Sequence, residues 1–428
     1  MQQQQDTAEW DRRVRMAQAL AAYDGDGPKP LKVRAGEPDD NVAVNYAAVI
    51  VDKAANFLFG KDLKIEIGTE SDNSGEAYLD EVWPSEQRSE DLIDLGTNGA
   101  IFGHAWVRIA ITADGHPRVV IPDPLNLSAQ WAADDWREII RYRHEYNTTD
   151  GSGTPVICRE DTDREGDHWV IRQYRATENS RNFERVGEDV IWPWQFAPIL
   201  HCKNLPRASE FYGRPDLTRD ILTLISALAR VDSLINRIIR LHGYPKTIAR
   251  GMRVQDLQIG VDGTLFLPSL DAQIANLEMQ SDLAASMNFR KQLREALAEL
   301  SQVPEVATSK MEHVGQLSGR ALQILYGPLI ERTQTRRRLY GRLLKDLIQA
   351  LLVVGRQTEQ PVTLHWPDLI PGDEKETAET LLLLKQLGVS EDSILRKLGY
   401  DPEAEKLKRQ AETSQAATAM MDAFNQGA

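Results

Sequence analysis

Residues 281–355 constrain the fold of this chain more than any other stretch. They read as a helix, an interruption of about fifteen residues, and a second, much longer helix. The first helix starts near Ser281 and closes at Pro304, because proline clashes with the preceding turn and removes a backbone donor. The interruption, residues 304–317, is Pro-Glu-Val-Ala-Thr-Ser-Lys-Met-Glu-His-Val-Gly-Gln-Leu. Ser318 then stands as the cap of a helix that keeps apolar residues at helical spacing as far as Leu352. A polar loop held between two helices suits contact with a partner better than bond cleavage.

Another long helix lies upstream. Pro215-Asp216 opens it, with Asp216 expected as its cap, and Leu217, Ile221, Leu224, Ile225, Leu228, Ile235, Ile238 and Ile239 form one apolar stripe. Gly243 and Pro245 end it after roughly 40 Å of helix, more than a small domain needs to cover itself. Residues 244–280 follow as a compact insert. It holds a strand at 246–250, a short helix near Val254, an Asp262-Gly263 turn, and strands at 264–267 and 273–279. Two long helices therefore bracket a small β-containing insert.

The N-terminal half changes period partway. Helices are expected at 7–23, at about 41–59 and at 86–102, the last broken near Gly99 and Gly103, with a strand at 61–67. From His104 to Trp194 the period is two, with β runs at 105–112, 118–121, 138–146, 156–159, 169–174 and 183–186 separated by Gly-containing turns, as in antiparallel meanders. Asp161, Asp163 and Glu165 imitate the opening of a calcium loop. However, Arg172 occupies the twelfth position, where a bidentate glutamate is required, so a plain hairpin turn is expected. The run Ile191-Trp-Pro-Trp-Gln-Phe reads as a core plug. Downstream, 361–367 reads as a lone strand, 373–387 as a helix ended by Gly388, and Ser390 as the cap of a short helix.

Chemistry-bearing motifs are absent. No phosphate-binding GxxxxGK[ST], HExxH, GxSxG or strand-linked GxGxxG occurs, and the eight histidines are scattered singly, so neither an enzyme nor a metal or cofactor site is expected. Cys158 and Cys202 are the only cysteines, which suits a reducing compartment. No run is apolar enough for a signal peptide or a membrane span, so a soluble cytoplasmic chain is expected. A formal net charge of −14 argues against broad nonspecific clamping of nucleic acid, which depends on Lys and Arg neutralising phosphates. Arg332, Arg336, Arg337, Arg338 and Arg342 spread around most of their helix and are read as paired or solvated charges, with DNA contact as the sharper alternative.

In this order the parts resemble the portal proteins of tailed bacteriophages, most closely the family typified by the portal of the Bacillus phage SPP1. Four segments carry the likeness. Asn45-Tyr46, Ile50-Val51-Asp52 and Phe57-Leu58-Phe59-Gly60-Lys61 are similar to the family's N-terminal helix and its exit into a strand. Residues 216–243, with Pro245 and the strand into Gly251, resemble a stem helix entering the clip. Ser318-Gly319-Arg320-Ala321-Leu322 with Pro328-Leu329 resembles the opening of the long helix, and 362–370 with Leu387-Gly388-Val389-Ser390 the run toward the crown.

The resemblance, which spans about 41–405, implies an α+β fold. Residues 1–216 would form the N-terminal part of a mixed α/β wing, and 318–388 its long kinked helix and C-terminal part. Residues 217–243 and 281–303 would form a two-helix stem, 244–280 a small α/β clip, 304–317 a tunnel loop, and 389–428 a short helical crown and tail. It also implies a ring, usually of twelve subunits, at one head vertex of the virion, assembled in the host cytoplasm. Double-stranded DNA would be packaged, retained and ejected through it. Implied partners are other copies of the chain, the terminase large subunit, a head-to-tail adaptor and the major capsid or scaffold protein, without a membrane. The tunnel loop would present Thr308, Ser309, Lys310, Glu312 and His313 to DNA, and the clip would meet partners through Arg253, Gln255, Asp256, Asp262 and Thr264. An acidic channel wall would let DNA slide, with Lys310 and His313 as weak, transient contacts. The alternatives are an uncharacterised cytosolic enzyme, or a monomeric DNA-binding or adaptor module with a basic face.

Overall fold

Asn45 starts the helix around which the N-terminal part packs: its side chain accepts a hydrogen bond from the Ala48 amide at 3.0 Å, which caps α2 (Tyr46–Phe59). Residues 41–45 therefore lie outside the helix expected from 41. The computed structural model describes residues 2–68, 74–177, 182–243, 247–250, 258–259, 265–266, 273–276, 283–304, 323–357, 360–369, 383–390, 392–393, 402 and 405–406. The chain divides into two units, Met1–Glu312 with Leu325–Pro367, and His313–Ile324 with Asp368–Ala428. In the second unit, Gly388 at φ 85° ends a helical stretch as expected, and Lys406 pairs with Asp392 at 2.9 Å.

Ahead of α2 comes α1 (Gln2–Asp24), and after it β1 (Lys64–Ile67), α3 (Ser74–Val82) and α4 (Ser85–Phe102). Nothing in the sequence pattern announced α3. Helix α4 runs unbroken through Gly99 and stops at Gly103, whose φ of 85° suits glycine. Gly99 serves packing instead of breaking the helix: a Cβ there would fall inside the van der Waals envelope of the Tyr340 hydroxyl, on a side chain with no exposed surface. Gly99→Ala is expected to cost about 3 kcal/mol in urea unfolding. The cost should drop when Tyr340→Phe removes the hydroxyl. An equal cost in both backgrounds would show that the hydroxyl is not what limits the approach.

Strand β2 (His104–Ile111) lies between β3 (Pro117–Val120) and β9 (Ile199–Lys203) in a three-stranded antiparallel sheet. A five-stranded antiparallel meander joins β4 (Leu127–Trp131), β5 (Ile139–Thr149), β6 (Pro155–Glu165), β7 (His168–Thr177) and β8 (Glu184–Trp192) in sequential order. The period-two runs located six of these eight strands and missed β4 and β9. They also stopped β6 six residues short, because its second half is Glu-Asp-Thr-Asp-Arg-Glu. Those acids stay in the strand because arginines on β2, on β6 itself and on its neighbours β5 and β7 pair with them. Arg143 and Arg159 reach Asp161 at 2.8 and 3.3 Å, and Arg172 reaches Asp163 at 2.9 Å, with Arg141 on its other oxygen. Arg108 holds Glu160 at 2.8 Å. Asp161 and Asp163 are thus ladder residues, and the hairpin turn follows at Gly166. Trp192 is buried and stacks edge-on against Trp194, so the aromatic run is the core plug expected.

Past the sheets come α5 (Arg219–Gly243), the short strands β10 (Thr247–Arg250), β11 (Gln258–Ile259), β12 (Leu265–Phe266) and β13 (Gln273–Asn276), then α6 (Leu283–Ser301), α7 (Gly327–Val354) and β14 (Val362–His365). β10 pairs with β13 and β11 with β12, both antiparallel, so the insert is β-containing as read. The strand expected to stand alone does not: β14 pairs antiparallel with β1, Ile65 opposite Leu364. Helix α7 begins with Pro328 in its first turn, and Ser318 lies outside the described residues. Leu343, Leu344, Leu347, Ile348 and Leu351 bury its inner face against the core beneath β2 and α4.

Candidate functional site: the two-helix stem and its root

The ten residues expected to touch DNA or partners all lie outside the described residues: Thr308, Ser309, Lys310, Glu312 and His313 in the loop, and Arg253, Gln255, Asp256, Asp262 and Thr264 in the insert. The structure instead describes how the helix pair α5 and α6, the pair expected from the resemblance to form a stem and hereafter called the stem, is rooted. Asp216 does not cap α5. The helix starts at Arg219, with the Thr218 carbonyl accepting from the Leu222 amide at 3.0 Å. The Asp216 carboxylate is buried and is held by the guanidinium groups of both Arg332 and Arg336 on α7. Asn204 Nδ2 donates to it at 3.0 Å, and the Asp216 amide donates to the Ala100 carbonyl at 2.7 Å.

Arg332 has a second task. Its Nη1 donates to the carbonyl of Ser301, the last residue of α6, at 2.9 Å, where a helix presents unpaired carbonyls and the negative end of its dipole. One side chain on α7 therefore holds a residue three positions ahead of α5 and the residue that ends α6. Burial lowers the pKa of the Arg332 guanidinium. Asp216 opposes this, while Arg336 and Arg214 add to it. The reading of the arginine cluster as paired charges holds for these two. Arg337 lies over the Trp366 ring at 5.1 Å.

Three further ion pairs hold the stem along its length. Arg290 on α6 reaches across to Asp232 on α5, Nη2 at 3.3 Å. Arg240 grips Asp40 at 2.6 and 2.7 Å and Arg237 adds 3.0 Å, while Ser233 bonds Val42, so residues 40–42 form a strap along α5. Hydrogen bonds from Arg240, then Arg237, hold the Asp40 carboxyl at about 2. Beside this strap the apolar stripe is only partly covered. Ile239 is 54% exposed, and Met287 and Phe289 on α6 are more than half exposed, so the stripe is not buried along its whole length by its own chain. The stem also differs in charge from the chain. Arg219, Arg230, Arg237, Arg240, Arg290, Lys291 and Arg294 outnumber Asp220, Asp232, Glu295 and Glu299, so the acidic excess does not reside on these helices.

Two long helices fixed at a single root and bracketing a small β insert, beside a β-rich body, define an α+β subunit of the portal type. The chain matches the family described as phage portal protein, SPP1 Gp6-like, over residues 4–170 and 209–418, and it belongs to that family. Residues 171–208, which include β8 and β9, fall outside the match. Among solved structures it is similar to a chain of the virion of a native gene transfer agent particle, at 14% identity and a TM-score of 0.48, covering 90% of this chain and 99% of that one. It is also similar to a chain from the neck of the native particle computed with C12 symmetry, at 13% identity and a TM-score of 0.44, covering 86% and 91%. No curated protein matches.

The stem anchors had one legible signal. Arg332 and Arg336 stand four apart on the same helical face as Leu329, Tyr340, Leu343 and Leu347, where a cation must be paired to be tolerated.

Proposed function

We propose that the chain is a non-enzymatic ring subunit, a dodecamer by family precedent, at one vertex of a phage-type head, through which double-stranded DNA is packaged, retained and ejected. The reading rests on family membership and, physically, on the outer half of the stem. Ile239, Met287 and Phe289 lie exposed on the helix pair, and side-by-side packing of neighbouring stems would remove that surface from water. On this reading 304–317 faces the axis, 244–280 meets the terminase large subunit and then a head-to-tail adaptor, and the wing faces the capsid or scaffold protein. The protein would be part of the virion after assembly in the host cytoplasm. Electron microscopy of the purified full chain tests the proposal. Rings with a central hole, with 304–317 nearest the axis in a reconstruction, are the expected result. Compact monomers under all conditions would overturn it.

A further inference from the structure

Two charged ridges in the wing have, among the described residues, a single exposed ion pair between them. On α4, Glu86, Glu90 and Asp94 recur every four residues on the exposed side, over roughly 12 Å of helix. Like charges at this spacing repel, and among the described residues none of the three has an ion pair. Arg88, on the same helix, is turned to Asp80 at 3.1 Å, and Asp91 accepts from the Trp83 indole at 2.6 Å. Burial and the neighbouring Glu90 raise the Asp94 carboxyl.

On α7, Arg338, Arg342 and Lys345 line the exposed side over roughly 10 Å. Their only ion-pair partner among the described residues is Asp346, 3.8 Å from Arg342. Both of those side chains are largely in water, where such a pair contributes little. The basic ridge thus matches the acidic one in length and in number of charges.

The two ridges also point in opposite directions. Helices α4 and α7 touch where Tyr340 meets Gly99. At about 100° per residue, Glu90 lies about 180° around α4 from Gly99, and Arg338 and Arg342 each lie about 200° around α7 from Tyr340. The acidic ridge therefore faces away from α7, and the basic ridge faces away from α4. A charged surface on one side of a subunit and its complement on the other is what a head-to-tail ring contact requires, because each interface joins two different surfaces.

We propose that in the ring Glu86, Glu90 and Asp94 of one copy seat against Arg338, Arg342 and Lys345 of the next. The inference rests on the ring reading above and adds to it the seam that sets subunit order. The test uses full-length protein, scored by negative-stain microscopy and native mass spectrometry at low and high salt. Glu86→Lys/Glu90→Lys alone and Arg338→Glu/Arg342→Glu alone should each lower ring yield at least about tenfold at low salt. Circular dichroism should be unchanged, since the ridges are exposed. Both double substitutions in one chain should restore rings. Mixing the two singly reversed chains, one with two basic ridges and the other with two acidic ones, should give alternating rings from components that do not assemble alone. Wild-type rings with unaffected reversal variants, or no recovery on combination or mixing, would overturn the seam alone. A basic ridge lost without effect on rings but with loss of duplex DNA binding would reassign it to DNA and overturn the seam as well. Wild-type chains that never associate would overturn both readings.

Discussion

Asp216→Ala is expected to destabilise the subunit by about 3–5 kcal/mol, because it leaves two buried guanidinium groups without their shared counter-charge. Arg336 is 1% exposed, so water cannot take the place of the carboxylate. Urea unfolding of the subunit measures the loss. A loss below about 1 kcal/mol would mean that Arg332 and Arg336 find other acceptors, and that the root of the stem is not held by this carboxylate. A triple variant, Asp216→Leu with Arg332→Met and Arg336→Met, should recover much of the stability, since an apolar replacement of a buried ionic triad removes its desolvation cost. It should not recover the tether to α6, because the Ser301 carbonyl then has no donor from α7. Faster proteolysis or amide exchange near the end of α6 would register that difference.

Mild acid should destabilise the subunit through a second buried cluster. His104 and His201 lie on adjacent strands, with ring centroids 5.6 Å apart, under α1. Arg12 of α1 donates to His104 Nε2 at 3.3 Å and lies 3.9 Å over the Tyr212 ring, while His104 Nδ1 donates to the Phe102 carbonyl at 3.1 Å. That geometry fixes His104 as the neutral Nδ1–H tautomer. Burial, then His201 and Arg12, push the His104 pKa well below 6.5; burial, then Lys203 and Arg12, lower His201 to about 3. Because both folded values are depressed, only the unfolded chain takes up these protons as pH falls below 6.5. Stability is therefore unaffected above 6.5 and falls steadily toward pH 3. At about 1.4 kcal/mol per unit, the His201 imidazole alone accounts for about 2 kcal/mol between pH 7.5 and 5.0, and His104 adds to it in the same direction. His144, lowered by burial and Arg108, acts in the same direction. Urea unfolding at pH 7.5 and 5.0 reads the slope, and His201→Phe, stacked on Phe211, should flatten it. Equal stability of the wild type at the two pH values would refute the account.

Elements whose residues alternate or recur by burial were legible in the sequence. Ile221 and Leu228 announced α5, and the run from Trp106 to Ile109 announced β2, because hydrophobic period reports which face meets the core. Elements held by pairing across the chain were not. The second half of β6 is a run of acids made tolerable by arginines on β2, β5, β6 and β7. β14 looked solitary because its partner, β1, lies about three hundred residues away. Asp216 misled for a related reason: an aspartate after proline and before an apolar stripe is a good cap by every local criterion, and its true partners are 116 and 120 residues downstream. Gly99 looked like a helix breaker because the aromatic hydroxyl that needs its missing side chain comes from another helix. The portal resemblance was carried by the order of segments, which survives where individual contacts cannot be foreseen. The loop and insert residues named for DNA and partner contact lie outside the described residues.

The double grip of Arg332 has a mechanical consequence. Because one guanidinium holds Asp216, three positions ahead of α5, and the residue that closes α6, the two stem helices share a single fulcrum on α7. The Arg290–Asp232 pair further up acts as a crossbar between them. A load applied at the insert is then delivered to α7 as the torque of one lever arm, instead of as two independent pulls on the body.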